Sequence, residues 1–474
     1  MTMTSSDLIA LAPFTVIGTA AVAALLLIAL RRHHGLTAFL AAGGFGLALI
    51  AAYLIAPFLP RTVTGLLDLD RFSLFYTSLL LSAGLAVSLL SYRYLSQLPG
   101  PKEEFYVLLL TASLGASVLT ASVHLVSFFL GLEVLTVSLY GMIAYVRSSG
   151  RSLEAGIKYL ILAAVSSAFI LFGMALVYAE TGSLAFVGML QRSGEVHPLL
   201  LMTGFGMIIV GVAFKLALVP FHLWTPDVYE GAPAPVTAFV ATVSKGAVFA
   251  VLLRFLGVMD LRYGTALFQV LSLIAVLSML AGNLLALQQA NVKRLLAYSS
   301  IAHAGYILVA FLAGGQDGRA AATFYLAAYM LTTLGAFGTV TVLSRRDGDA
   351  ANAEDFQGLA WRRPGLAAVL TVMLLSLAGM PLTAGFVGKF FLAAAGVNGS
   401  LWVPVAALLL GSVIGLFYYL RLISLLFAGP GRVVSIPPSL SFVNGGVLAV
   451  VVLLVLLVGV YPDPLIDVIG RLFR

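Results

Sequence analysis

Leu199–His222 reads LLLMTGFGMIIVGVAFKLALVPFH. The stretch is long enough to cross the roughly 30 Å hydrocarbon core of a bilayer as a helix. It carries Lys215 well inside it and Pro220 five residues later, before the polar run His222-Leu223-Trp224-Thr225-Pro226-Asp227. A proline within a helix removes a hydrogen bond and frees a carbonyl. A lysine at the middle of a membrane helix costs about 2.5–3.5 kcal/mol on insertion scales. The segment therefore reads as a membrane span that is both broken and charged.

The rest of the chain has the same character. Its 474 residues are 61% hydrophobic and only 9% charged, with a mean hydropathy of +1.07. A soluble domain carries about 25% charged residues. The apolar residues fall in runs of roughly 20, and the alternation expected of a membrane β-barrel is absent. Helices are then the remaining way to satisfy the backbone in lipid. Fourteen candidate spans cover about 8–30, 36–57, 72–92, 105–122, 125–146, 157–179, 199–222, 234–256, 265–288, 292–313, 320–343, 365–395, 403–427 and 441–461. The expected fold is an all-α polytopic membrane protein, 1–474 forming one integral membrane domain.

A second broken span matches the first. The twelfth is too long for one straight crossing and contains Gly379-Met380-Pro381 and Gly385. Broken helices at corresponding places in two halves point to an internal repeat and to a transport site. Spans 4–8 (105–256) and 9–13 (265–427) would be two five-helix units, each interrupted at its fourth helix. An odd number of spans inserts the second unit upside down. Three helices (1–104) would precede the pair and a last helix (441–474) would follow it.

Composition excludes several functions. With no cysteine the chain cannot hold a thiolate-bound iron–sulfur cluster or a covalently attached haem. There is no dinucleotide fingerprint or Walker loop, and the histidines lack metal-ligand spacing. The net charge of +7 reflects basic residues placed singly or in pairs between apolar runs, which argues for membrane topology rather than nucleic acid. Loops after odd-numbered spans carry thirteen lysines and arginines, from Arg31 to Arg432. The opposite side carries seven, from Arg61 to Arg474. The positive-inside rule then places both termini outside the cytoplasm.

Six lysines are available: Lys102, Lys158, Lys215, Lys245, Lys293 and Lys389. Lys215, Lys245 and Lys389 fall well inside apolar runs. Desolvation disfavours a charged amine, so a lysine taken out of water can bind and release a proton. Glu133 is the acid near the middle of a span and the natural partner of a buried lysine. His303 lies midway along the tenth span among Tyr298, Ser299, Ser300 and Tyr306, a polar helix able to hold water. Other residues have plainer readings. Lys158 follows Glu154 by four residues, so a helix-end salt bridge competes with a transport role. Lys293 and Arg294 can anchor an interface, and Arg254 and Arg421, near span ends, are expected to snorkel. His124, His197 and His222 lie close to loops, where capping is the commoner role. For the buried lysines and Glu133 the bland alternative is an ion pair that only fixes helix packing.

Two long motifs add a family. Residues 215–233, KLALVPFHLWTPDVYEGAP, and 379–390, GMPLTAGFVGKF, resemble the antiporter-type subunits of the proton-pumping NADH:quinone oxidoreductase, respiratory complex I. The supporting runs Arg151-Ser152-Leu153-Glu154-Ala155 and Asn291-Val292-Lys293-Arg294 extend the likeness over nearly the whole chain. Lysine at 389 suits the N-type branch, since the M-type tends to carry glutamate there. The chain also ends soon after the fourteenth span, without the lateral helix of the L-type. The resemblance implies fourteen helices with two inverted repeats. It implies a Glu133–Lys215 ion pair, Lys245 as a connecting lysine and Lys389 as the terminal lysine of the second half-channel. His303, Lys158, Lys293 and His222 match polar-axis or supporting positions. It implies no cofactor on this chain, with flavin, iron–sulfur clusters and the quinone site on other subunits. The implied neighbours are the small subunit K and an M-type subunit in a bacterial inner membrane. A sodium/proton antiporter of the same ancestry, a structural scaffold and a solute transporter are the competing readings.

The charge asymmetry generates a topological test. A reporter fused after Arg474 that is active only in the cytoplasm is expected to be silent, and activity there would reverse the orientation.

Overall fold

The structure, a computed structural model, describes residues 4–191, 198–258, 265–346, 348–429 and 440–473. Among the basic and histidine residues weighed above, Arg192, Arg262, Arg432, Arg474 and His197 lie outside the described residues.

Thirteen helices among the described residues are long and apolar enough to cross a bilayer. The twelfth crossing is made by two shorter ones, Pro364–Ala378 and Ala384–Asn398. The seventh span is Pro198–Leu216, continued after a break by Trp224–Gly231. Both expected interruptions are therefore present. The sixth span begins earlier than its hydropathy suggests, running Gly150–Thr181. Ser149 caps it, its hydroxyl accepting from the Ser152 amide, so the helix extends through Arg151 and Glu154 before entering its apolar stretch.

Three features were not foreseen. Arg61–Val63 and Leu67–Leu69 pair as a short antiparallel hairpin between spans 2 and 3. A short helix, Asp463–Gly470, follows the last span. The eighth span, Ala234–Gly257, contains a π turn at Val240–Ser244, directly before Lys245.

The first and last described segments lie at one end of the bundle, as an even number of crossings requires. Asp7 pairs with Arg61 at 2.6 Å, and Phe473 packs edge-on against Phe72 at 5.9 Å. The Thr4 backbone hydrogen bond, with Arg61 beside it, pulls the Asp7 carboxyl down to about 2.

Glycines let the helices approach to backbone contact, as small residues do in membrane bundles. Spans 4 and 5 meet at Gly115, where a Cβ would lie 2.6 Å from the Leu135 nitrogen. Spans 9 and 10 meet in the same way at Gly282, where a Cβ would lie 2.6 Å from the Ala302 nitrogen. The first two helices of each five-span unit thus share a packing device, and the fourth helix of each shares a break. The breaks are alike in backbone as well: each places one non-glycine residue in the left-handed region, Ala217 at φ 60 and Leu382 at φ 69, a conformation that is uncommon for residues with a Cβ.

The second break depends on one close approach. A Cβ on Gly385 would sit 1.9 Å from the Ser376 carbonyl oxygen, a backbone atom that cannot rotate away. Gly385→Ala is expected to push the two half-helices apart and to destabilise the protein by about 1–3 kcal/mol, as overpacking does. A lowered thermal unfolding midpoint in detergent is the readout.

Candidate functional site

The break in span 7 leaves helix-end carbonyls needing partners. Trp224 Nε1 donates to the Phe214 carbonyl at 2.9 Å and folds the polar run back under the helix end. Lys215, in the last turn of Pro198–Leu216, is buried. Its Nζ donates to Thr136 Oγ1 at 2.8 Å, and the Tyr159 and Phe214 rings lie 5.9 Å away.

The expected contact between Lys215 and Glu133 is not formed. Lys215 reaches span 5 one turn along from Glu133, at Thr136, while Glu133 accepts from Ser167 at 2.5 Å. Glu133 lies half-buried on the flank of the bundle, beside outward-facing Leu130, Val134 and Val137. Lysine and acid occupy neighbouring places on span 5, one inward and one towards the edge.

Lys245 follows the π turn and is buried. Its Nζ donates to the hydroxyl of Ser300 on span 10. That hydroxyl also meets Tyr229 Oη at 3.4 Å. One turn further along span 10, buried His303 is held by two tyrosines. Nδ1 lies 2.6 Å from Tyr325 Oη, and Nε2 lies 3.2 Å from Tyr419 Oη. Tyr419 in turn bonds to Ser299. Beyond His303, Tyr306 Oη accepts from Asn283 at 2.8 Å, and Asn283 accepts from Tyr418 at 3.0 Å. Span 10 thus carries Ser299, Ser300, His303 and Tyr306 into a buried polar cluster built from spans 7, 8, 9, 11 and 13.

Lys389 ends the line. It sits in the second half-helix of span 12, and its Nζ reaches back 3.0 Å to the carbonyl of Ala378, the last residue of the first half. A cation at a helix C-terminus meets the negative end of the helix dipole. The Tyr306 ring lies 5.3 Å from the same ammonium.

Lys158 and Lys293 are placed differently. Lys158 Nζ is bonded to Glu154 and to Asp227, both at 2.7 Å. Asp227 also accepts from Arg294 at 2.7 Å, and Arg294 reaches Glu230 at 3.0 Å. This network ties the second half of span 7 to spans 6 and 10. Lys293 is fully buried and paired with Asp349 at 2.6 Å. His222 lies inside the break, buried, with its Nδ1 free of any hydrogen-bond partner. His124 caps span 5, its Nδ1 accepting from the Val126 amide at 3.1 Å.

Arg254 and Arg421 both find partners within the protein. Arg254 forms a two-pronged bond to Asp70 at 2.8 and 2.9 Å and lies over the Phe72 ring. Arg421 donates to the Leu287 and Gln289 carbonyls, both at 2.9 Å, at the end of span 9.

A family model described as NADH:quinone oxidoreductase/Mrp antiporter, TM, matches residues 122–415. The chain belongs to this family. The matched residues take in the buried lysines, Glu133, His303 and both broken helices. Within the family, NADH-quinone oxidoreductase subunit N of Ectopseudomonas mendocina (strain ymp) is 50% identical over 478 residues, covering 98% of this chain and 96% of that protein. A chain in the structure of respiratory complex I from Thermus thermophilus with bound aureothin is 33% identical, with a TM-score of 0.83 over 96% of this chain and 98% of that one. A chain of the membrane-bound sulfane sulfur reductase, an archaeal respiratory membrane complex, is 26% identical, with a TM-score of 0.88 over 98% and 97% of the two chains.

The contrast among the lysines generates two expectations. Lys158 serves a partly exposed ion-pair cluster, so Lys158→Arg should retain wild-type proton uptake in vesicles of the assembled complex. Asp227→Asn takes the charged partner from both Lys158 and Arg294, so it should lower the thermal unfolding midpoint in detergent at neutral pH.

Proposed function

We propose that this chain is a proton-translocating membrane-arm subunit of an NADH:quinone oxidoreductase. The single observation that carries the reading is how its buried cations are partnered. Among the described residues, Lys215, Lys245 and Lys389 have no carboxylate at ion-pair distance. Each donates to a neutral oxygen, of Thr136, Ser300 and Ala378 respectively. A lysine that merely glues helices would sit among acids at the edge of the bundle, as Lys158 does. An unpaired buried amine is costly to keep charged, which suits a group that loads and unloads a proton.

In this reading Lys215 is the carrier of the first unit, and the break beside it gives room for water. Glu133 biases its charge from the flank of span 5, where a neighbouring subunit can reach the acid. Lys245, Ser300, His303 and the tyrosines around them carry protons along span 10, and Lys389 hands them on in the second unit. His222, with its free nitrogen in the break, is a supporting polar group. Lys293 feeds the line, and Lys158 holds the second half of span 7 in place.

The subunit N relative and the complex I structure support assembly with other subunits of such a complex. We place flavin, iron–sulfur clusters and the quinone site on those subunits, with subunit K and an M-type subunit as neighbours. A bacterial inner membrane with both termini in the periplasm fits the arginine distribution. The antiporter reading differs in requiring no NADH, so dependence of proton uptake on NADH oxidation separates the two.

Arginine at 215 is the sharpest test. It keeps the charge but cannot release its proton at physiological pH. In vesicles of assembled complex, Lys215→Arg is expected to be nearly as defective in proton uptake as Lys215→Ala. Full uptake with Lys215→Arg would mean that the residue only holds a charge in place.

A further inference from the structure

Lys293, in the first turn of span 10, is completely buried and has three acceptors. They are the carbonyls of Glu230 at 3.0 Å and Ala232 at 2.6 Å, and Asp349 Oδ2 at 2.6 Å. The other oxygen of Asp349 accepts from Tyr94 of span 3 at 2.8 Å. Asp349 belongs to the loop after span 11 and lines two cavities, one of about 230 Å³ and one of about 500 Å³. Arg345 and Gly348 border both. The larger is also bounded by Arg151, Glu230 and Ser148. Each is large enough for several waters, since a single water needs only about 10–15 Å³ of such space. Asp349 thus faces hydrated space on one side and a desolvated amine on the other.

We infer that Asp349 is the proton-intake residue of the second five-span unit, passing protons from the aqueous phase on the arginine-rich side to Lys293. This rests on the proton-translocation reading and adds a residue and an opening to it. The transfer takes two steps. A proton moves from cavity water to the Asp349 carboxylate. The resulting carboxylic acid then gives it to the neutral amine of Lys293, which restores the carboxylate and forms the ammonium. No electron moves. The next base, Lys245, is held by Ser300, seven residues along the same helix from Lys293. At 1.5 Å per residue that is two turns, roughly 10 Å, a distance that about two or three hydrogen-bonded waters span. Carbonyl oxygens alone hold Lys293 on its inner side, so among the described residues Asp349 is the group in contact with it that can exchange a proton with water.

The alternative is that Asp349 only pins its loop to spans 3 and 10. Asp349→Asn separates the two, because asparagine keeps the size and an acceptor for Lys293 Nζ but cannot carry a proton. The measurement is proton uptake per NADH oxidised, in inverted vesicles containing the assembled complex. Asp349→Asn is expected to lose uptake while NADH oxidation continues, and Asp349→Glu to restore it. Wild-type uptake with Asp349→Asn would overturn the inference. A second experiment leaves Asp349 untouched. The chain has no cysteine and Ser148 is exposed, so Ser148→Cys places a single thiol at the mouth of the larger cavity. A bulky maleimide on that thiol should lower uptake relative to wild-type complex treated in the same way. Unchanged uptake after full labelling would also overturn the inference, including where Asp349→Asn fails to assemble. Lys215→Arg is measured in the same vesicles. If Lys215→Arg is defective and Asp349→Asn is not, only the intake is wrong. If Lys215→Arg pumps fully, the translocation reading itself fails.

Discussion

In hydrocarbon, every backbone amide and carbonyl must find a partner within the protein, and a helix interrupted in mid-membrane exposes several at once. This protein interrupts two. Side chains close the gaps: Trp224 on the Phe214 carbonyl, Ser278 accepting from the Val219 amide at 3.0 Å, Ser376 accepting from the Gly385 amide at 3.1 Å, and Lys389 on the Ala378 carbonyl. The last is unusual in that a buried cation fills a structural vacancy. Whatever Lys389 does with its proton, it does at the end of a helix dipole, where its charge is favoured.

Charge is sorted along the same lines. Near the arginine-rich end, Glu154, Lys158, Asp227, Arg294 and Glu230 form a partly exposed network, and Lys293 pairs with Asp349 in a buried site beside it. In the cluster around span 10 the polar groups are neutral hydroxyls, the His303 imidazole, the Asn283 amide and the amines of Lys245 and Lys389, which have no acid at ion-pair distance. Tyrosine supplies most of those hydroxyls. It offers a large apolar ring to its neighbours and a hydroxyl that both donates and accepts, so it builds a hydrogen-bonded path without adding a charge to the low-dielectric interior.

The crossings and their breaks were legible in the sequence, because hydropathy, prolines and glycines act over short distances. The buried lysines stood out for the same reason: a cation in an apolar run needs no partner to be noticed. Their surroundings were hidden. Asp227 is 69 residues from Lys158, and Asp349 is 56 from Lys293, so the readings of those two lysines could not be separated by pattern alone. Arg254 looked free to reach the interface because Asp70, its partner, lies 184 residues away. Tyr418, Tyr419 and Asn283 were a fainter signal, hydrogen-bonding groups in the middle of spans. The small offset between Glu133 and Lys215 is beyond any pattern, since it depends on how spans 5 and 7 are rotated.

The π turn at Val240–Ser244 has a consequence for the tolerance of this region to change in length. A π turn holds about one more residue than an α turn, so every residue after it is swung by about 100° from where a continuous α-helix would put it. Lys245 points at Ser300 because of that extra residue. Deleting one residue from the turn would leave an ordinary, well-bonded helix of nearly the same hydropathy. It would also aim the lysine at another face. The eighth span is buried on nearly all sides, so an insertion or deletion there would both re-aim Lys245 and turn every packed side chain after it to a different neighbour.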